Sequence, residues 1–334
     1  MAMRGPGFAV VEFDTTGLMA NDKDRAIEIA IVQLSAGGRI EQRWSTRLSV
    51  SERASSGQLP PLRYGSRVEV PEFRQVMGTV LSLLAGRVLV AHAAAFHLGF
   101  LARELERAGS PLPSDTVWLC TMQMARDFAP DVPRALPACS RRLSAEVVAR
   151  PAGASTLVGD ADQTAALLST LIGLGDDHAF WERHLSDALD VDWPRFATRR
   201  AAPARVVDHA FDEPATFLAR LTHDLPAVDG PAEHLDYLAL VDRCLVHPRL
   251  LERESLSLVR LAERLNISRF VCESLHLDYF AALCDLAHRD GTVLTDDELA
   301  QLWAVGDLLD LPMSAILGAL QNSRQSGVGR LLAG

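Results

Sequence analysis

The sequence predicts a mixed α/β sheet domain followed by an all-helical unit. Three observations carry this. Alternating apolar runs fill most of the first 48 residues, strand-like and helix-like runs then alternate to about residue 174, and from Glu233 the apolar spacing is helical throughout.

The first strand spans Phe8 to Asp14. In the second, Ala26 to Leu34, Ile27, Ile29 and Ile31 alternate with Glu28, Ala30 and Val32. Gly37-Gly38 makes a turn, and Ile40 to Leu48 is a third strand, which completes an antiparallel meander. Ser51 to Arg67 is rich in Ser, Pro and Gly and is a loop.

Pro71 to Gly86 places Phe73, Val76, Met77, Val80, Leu81 and Leu84 at helical intervals. Arg87 to His92 is a short buried strand, Phe96 to Gly109 a helix, and Val117 to Leu119 a last strand. Helices follow at Thr121 to Phe128, Leu136 to Ala149 and Asp160 to Leu174. Residues 1–175 are therefore one mixed-sheet domain. Residues 176–230, with scattered Pro and charge and helical candidates at Phe180 to Leu189 and Ala215 to Leu225, are a partly structured connector.

Residues 231–334 are the helical unit, with segments Leu235 to Leu245, Glu252 to Leu265, Arg269 to Arg289, Thr295 to Leu309 and Met313 to Leu320. An internal repeat relates Leu250 to Ile267 to Val293 to Leu311, each half a loop, a capped helix and a stop. Thr295 and Glu298 have the spacing of a capping box.

Composition narrows the function. Hydrophobic residues make up 48% of the chain, enough for a substantial core. The net charge of -10 argues against nucleic-acid binding by bulk charge while leaving room for a local basic groove. Lys23 is the sole lysine. Cys120, Cys139, Cys244, Cys272 and Cys284 form no CxxC pair, so neither a disulfide framework nor a cysteine zinc site is expected. No stretch has the length of a transmembrane helix and no signal-peptide pattern opens the chain, so the expected location is the cytoplasm, away from membranes.

The chemistry centres on Glu12 and Asp14. Residues two apart on a strand share a face, so both carboxylates project from the end of a buried strand, a place suited to divalent cations. Val11-Glu12-Phe13-Asp14-Thr15-Thr16-Gly17-Leu18 resembles the first motif of DnaQ-like 3′–5′ exonucleases of the DEDDh class, Asp-x-Glu-Thr-Thr-Gly. Ala91-His92-Ala93-Ala94-Ala95-Phe96-His97 resembles the second, Ala-His-Asn-Ala-x-Phe-Asp. Ser155 with Asp160-Ala161-Asp162-Gln163-Thr164 resembles the third, in which His stands five residues before Asp-Ala-x-x-Thr.

The resemblance implies an RNase H-like fold with a mixed β-sheet flanked by helices. It also implies two hard cations about 4 Å apart, held by four carboxylates, with a histidine as general base. Carried over, the catalytic positions are Glu12, Asp14, His97, Ser155 and Asp160. The metal ligands are Glu12, Asp14 and Asp160, holding Mg²⁺ or Mn²⁺ weakly or at a single site. Thr15, Thr16, Gly17, His92 and Phe96 are the substrate contacts.

The pattern is degenerate. Glu12 and Asp14 stand in inverted order, and Glu is longer by about 1.5 Å, one carbon–carbon bond. His97 replaces a carboxylate, and imidazole suits softer metals than Mg²⁺. Ser155 replaces the base, and a hydroxyl collects no proton at neutral pH without a base of its own. Ala93 replaces an amide.

In the helical unit, Asp290-Gly291-Thr292-Val293-Leu294-Thr295-Asp296-Asp297-Glu298 resembles the signature of TerB-like domains, with one extra residue in the loop. The counterpart at His247-Pro248-Arg249-Leu250 lacks Asp-Gly. With both resemblances the chain looks like the actinobacterial arrangement in which an exonuclease-like domain is joined to a TerB-like tail. The resulting expectation is a pseudo-exonuclease that binds a single-stranded 3′ end, or a protein partner through the helical unit. The alternatives are an active metal-dependent 3′–5′ exonuclease using Glu12, Asp14, Asp160 and His97, and a fold turned to another reaction or small ligand.

Overall fold

The computed structural model describes residues 6–20, 23–50, 70–146, 155–175, 177–194, 216–246, 255–289 and 293–331. The loop expected at 51–67, the Asp290-Gly291-Thr292 and His247–Leu250 segments and the start of the first repeat half lie outside these residues. The chain divides into two compact units, one of residues 1–128 and 139–211 and the other of 129–138 and 212–334.

The first unit is built on a five-stranded sheet, β1 (Phe8–Thr15), β2 (Ala26–Leu34), β3 (Ile40–Arg47), β4 (Val88–Ala91) and β5 (Trp118–Cys120), in the order β3-β2-β1-β4-β5. The meander is present: β1 pairs antiparallel with β2 and β2 with β3. β4 lies parallel to β1, and β5 parallel to β4. Parallel neighbours need long crossovers, and here these are the helices α1 (Phe73–Leu84) and α2 (Ala94–Arg107). β1 is central and buried on both faces, with Phe8 to Val11 fully covered. It enters through Gly7 at φ +97°, where a Cβ would stand 2.0 Å from the Leu34 carbonyl oxygen.

After β5 come α3 (Thr121–Phe128), α4 (Leu136–Arg142), α5 (Thr156–Leu174) and α6 (His178–Asp190). α4 is shorter than the spacing predicts, since Ser144 turns into the left-handed region at φ 55°. α5 begins earlier than predicted because Ser155 caps it, accepting from Val158 N–H. α5 and α6 cover one sheet face, where Phe8, Val10, Val32 and Val90 pack with Leu168, Trp181 and Leu185. Each such side chain contributes roughly 1.5–3 kcal/mol when fully buried. α6 falls in the region expected to be connector, yet Trp181 and Leu185 make it part of the sheet domain's core.

The second unit contains α7 (Phe217–His223), α8 (Ala232–Val246), α9 (Ser255–Arg264), α10 (Arg269–Ala287), α11 (Asp296–Leu308) and α12 (Met313–Leu331). α11 starts with the capping box read from the sequence: Thr295 Oγ1 accepts from Glu298 N–H, and the Glu298 carboxylate accepts from Thr295 N–H. Arg134, from the segment that joins this unit out of sequence, grips Asp242 of α8 with two hydrogen bonds of 2.9 and 3.0 Å. Tyr279 of α10 donates to the same carboxylate at 2.8 Å. None of the helices among the described residues is long and apolar enough to cross a membrane.

Candidate active site

The ends of β1 and β4, the start of α2 and one face of α5 converge at Glu12. Its side chain is 4% exposed. Oε2 accepts from His97 Nε2 at 2.7 Å. Oε1 accepts from His92 N–H at 3.1 Å and from Thr164 Oγ1 at 2.9 Å. Three of the about four lone-pair directions of this carboxylate are thus taken by protein donors.

His97 is fixed from its other side as well. Phe13 N–H donates to His97 Nδ1 at 2.9 Å. β4 has ended by this point, so the imidazole stands in for the missing strand as the acceptor for β1. An Nδ1 that accepts carries no proton, so Nε2 holds the ring's hydrogen and donates it to Glu12. Phe96 packs edge-on against the ring at 4.9 Å. Burial raises the Glu12 pKa, but the His97 ring, the hydrogen bond it donates and the His92 N–H outweigh burial and hold the carboxyl below its ordinary value.

Asp14 is half-buried, and Oδ1 accepts from Thr15 N–H at 2.9 Å. Directly opposite on β2 stands Glu28. Ser155 donates its hydroxyl to Glu28 Oε1. Burial is the main cause that raises the Glu28 pKa; Ser155 and Arg47 pull it down, and Asp14 adds to the rise. α5 therefore runs antiparallel to β1, with Thr164 at Glu12 and Ser155 beside the Asp14–Glu28 pair. Asp160, one turn before Thr164, is half-buried on the same helix. Asp162 is buried and bound to Arg43 at 2.6 Å.

The turn after β1 is tied internally. Thr15 Oγ1 donates to the Gly17 carbonyl at 2.7 Å, and Thr16 Oγ1 accepts from Arg25 N–H at 2.9 Å. A Cβ on Gly17 would meet the Asp24 carboxylate at 2.5 Å, and that carboxylate accepts from Met19 N–H. His92 Nδ1 lies 3.0 Å from Thr121 Oγ1. Ala93 sits at φ 57° as it leads into α2, a left-handed backbone that costs a residue with a Cβ.

The structure gathers Glu12, His92, Phe96 and His97 at one contact, and sets Asp14, Ser155 and Asp160 along the adjoining strand end and helix. Sequence reasoning missed two participants. Thr164 was legible as the residue one turn after Asp160, whereas Glu28 depended on β-sheet register. Among the described residues no group of three or more His, Cys, Asp or Glu side chains could hold a metal ion. A two-cation site fits these residues poorly, because a cation at Glu12 Oε2 would meet the His97 N–H.

Known proteins match this region. Residues 10–150 fit the family model described as Exonuclease, RNase_T. Residues 10–150 are an exonuclease-family domain. A 3′–5′ exonuclease DinG of Bacillus subtilis (strain 168) is 33% identical over 125 residues, which are 37% of this chain and 13% of that protein. The chain thus matches only a small part of that relative's length. Among solved structures, a 3′-exonuclease in 3′-end-specific recognition of a histone mRNA stem-loop shares 18% identity, 50% of this chain and 82% of its own, at a TM-score of 0.39. Exonuclease X in complex with 5′-overhanging duplex DNA shares 21% identity, 54% of this chain and 99% of its own, at 0.36. The nuclease domain of 3′hExo, a DEDDh family member bound to rAMP, shares 16% identity, 56% of this chain and 95% of its own, at 0.38.

Proposed function

We propose that this chain is a pseudo-exonuclease, in which a DnaQ-like domain keeps its fold and has given up metal-dependent hydrolysis. One observation carries the reading. The buried carboxylate that would hold a catalytic cation already accepts from His97 Nε2, His92 N–H and Thr164 Oγ1, three of its about four lone-pair directions. The Ser155 hydroxyl is spent on Glu28 and on capping α5, so it activates no water. Catalytic groups that act as a unit fail together when one is lost.

The retained role is binding of a single-stranded 3′ end, with Thr15, Thr16, Gly17, His92 and Phe96 around the strand end. Asp14, Glu28 and Asp160 repel phosphate unless a cation intervenes, so affinity is modest. The helical unit, read as TerB-like, is the surface for a protein partner.

Purified protein is incubated with a 3′-labelled single strand and Mg²⁺ or Mn²⁺. The expected result is no trimming above background, while His97→Asp combined with Ser155→His trims measurably. Robust trimming by the natural sequence, abolished by Asp160→Ala, would establish the alternative of an active exonuclease. Retention of the strand on the inert protein supports the binding role, and its absence transfers the function to a protein partner.

A further inference from the structure

The sheet carries one long strand at its rim. β3 is the edge strand beyond β2. From Gln42 to Arg47 it pairs residue for residue with β2, so its main-chain groups alternate sides along that stretch. Glu41 has no partner residue on β2 and forms the bulge that ends the regular run. Leu48 N–H donates to the Ile27 carbonyl at 2.8 Å, and Ser49 N–H, pointing the opposite way, donates to the Pro71 carbonyl at 2.9 Å. Counting back from this pair, the main chains of Trp44 and Thr46 face β2, and those of Arg43, Ser45 and Arg47 face outward. Pro71 closes the outer side at Ser49, so the open run is Glu41 to Arg47, with Trp44 at its middle. Among the described residues no strand pairs with it.

We propose that this edge pairs antiparallel with β3 of a second copy of the chain, about a two-fold axis at Trp44, joining the two sheets into one. The register follows from the strand itself. Hydrogen bonds can be exchanged only between residues whose main chains face outward in both copies. With the axis at Trp44, Arg43 exchanges both bonds with Ser45 of the second copy, and Ser45 with Arg43 of the second copy. Arg47 then meets Glu41 of the second copy, and symmetry makes that ion pair twice. Moving the axis by one residue sets Arg43 opposite itself or opposite Arg47, and like charges directly opposite are destabilising. An axis between two residues sets outward groups against inward ones. One register remains, and it is the one centred on the open run.

Charge selects the occupant. Charged side chains on an edge ordinarily keep other strands away. In β3 the acidic residue stands at one end and Arg47 at the other. A parallel copy would meet like with like, whereas an antiparallel copy meets opposites. Glu41 Oε2 holds Arg87 at 3.0 Å, which leaves Oε1 to accept from Arg47 of the second copy. Arg47 is half-buried opposite Glu28 of β2, so its guanidinium lies between two carboxylates in the pair. Arg43 is already bound to Asp162 at 2.6 Å, and the neutral Ser45 opposite it leaves that bond undisturbed.

The test is sedimentation velocity of the full chain over a rising concentration series, in which a monomer–dimer equilibrium is expected. Ser45→Pro removes an N–H that the pairing needs and that the monomer carries on its open side. It should abolish the dimer while leaving the thermal midpoint of the dilute protein unchanged. Arg47→Glu should weaken the dimer at least about tenfold, because two attractions become two repulsions. Adding Glu41→Arg to Arg47→Glu restores opposite signs and should bring the dimer back to within about threefold of the natural protein. A monomer at every concentration overturns the proposal. So does a dimer indifferent to both single variants, or a charge-swapped double variant that stays as weak as Arg47→Glu.

Discussion

His97 Nε2 donates to Glu12 Oε2 at 2.7 Å in a corner where both side chains are 4% exposed. The same ring accepts from Phe13 N–H, so one residue satisfies both the acidic side chain and the backbone of β1. The imidazole thereby supplies, without a cation, the partner that a buried carboxylate requires.

Replacing His97 by Asp sets two carboxylates against each other and leaves the Phe13 N–H without its ring acceptor. The expected loss is about 3 kcal/mol of unfolding free energy in chelator, read from urea denaturation. Mn²⁺ should recover much of it, raising the variant's thermal midpoint with concentration. The natural protein's midpoint should be unmoved by Mn²⁺. An equal rise in both would mean that Glu12 is open to cations.

Acid titration tests the same contact. Glu12 has a folded pKa below its unfolded value, so folding favours its ionised form. Its stabilising contribution is complete above about pH 4.3, the ordinary Glu value, and is lost as pH falls through the folded pKa. Glu28 has a raised folded pKa, so its ionisation destabilises the fold as pH rises. Unfolding free energies across pH should therefore show a shallower acid-side decline in Glu12→Gln. Glu28→Gln should be more stable than the natural protein at neutral pH, an advantage that vanishes in acid.

Ala93 leads into α2 at φ 57°. A Cβ there costs roughly 1–2 kcal/mol relative to the right-handed region, and glycine removes the clash while raising unfolded-chain entropy. Ala93→Gly should stabilise the domain by about 1 kcal/mol in denaturant titration, and a loss would show that this turn tolerates the side chain.

Arg134 is 3% exposed and bonded to Asp242 through two nitrogens. Arg134→Ala leaves a carboxylate shared only with Tyr279 and should cost about 3 kcal/mol. Arg134→Lys should recover little, because an ammonium offers no fork. Hydrogen exchange in α8 and α10 should rise in both variants, and unchanged protection would contradict the role assigned to this pair.

Legibility in the sequence followed the range of the interaction. β2 was bounded correctly because the alternation of Ile27, Ile29 and Ile31 is a property of neighbours. The Thr295–Glu298 box was read for the same reason. α6 was assigned to a connector because its core-facing residues, Trp181 and Leu185, reveal their role only against Phe8 and Val10. At the site, Glu12, Asp14, His97, Ser155 and Asp160 were visible as residue types at motif spacing. That Ser155 answers Glu28 was not, since it depends on which β2 residue falls opposite Asp14.

By itself the sequence determined the strands, most of the helices and the placing of two acidic residues on one face at the end of β1. These rest on period and local capping, which act over a few residues. Only the tertiary structure decided what those carboxylates face. Glu12 is met by His92, His97 and Thr164, brought from β4, α2 and α5 by chain closure around a shared apolar core. Hydrogen bonds formed across such separations leave no periodic trace in the chain that makes them.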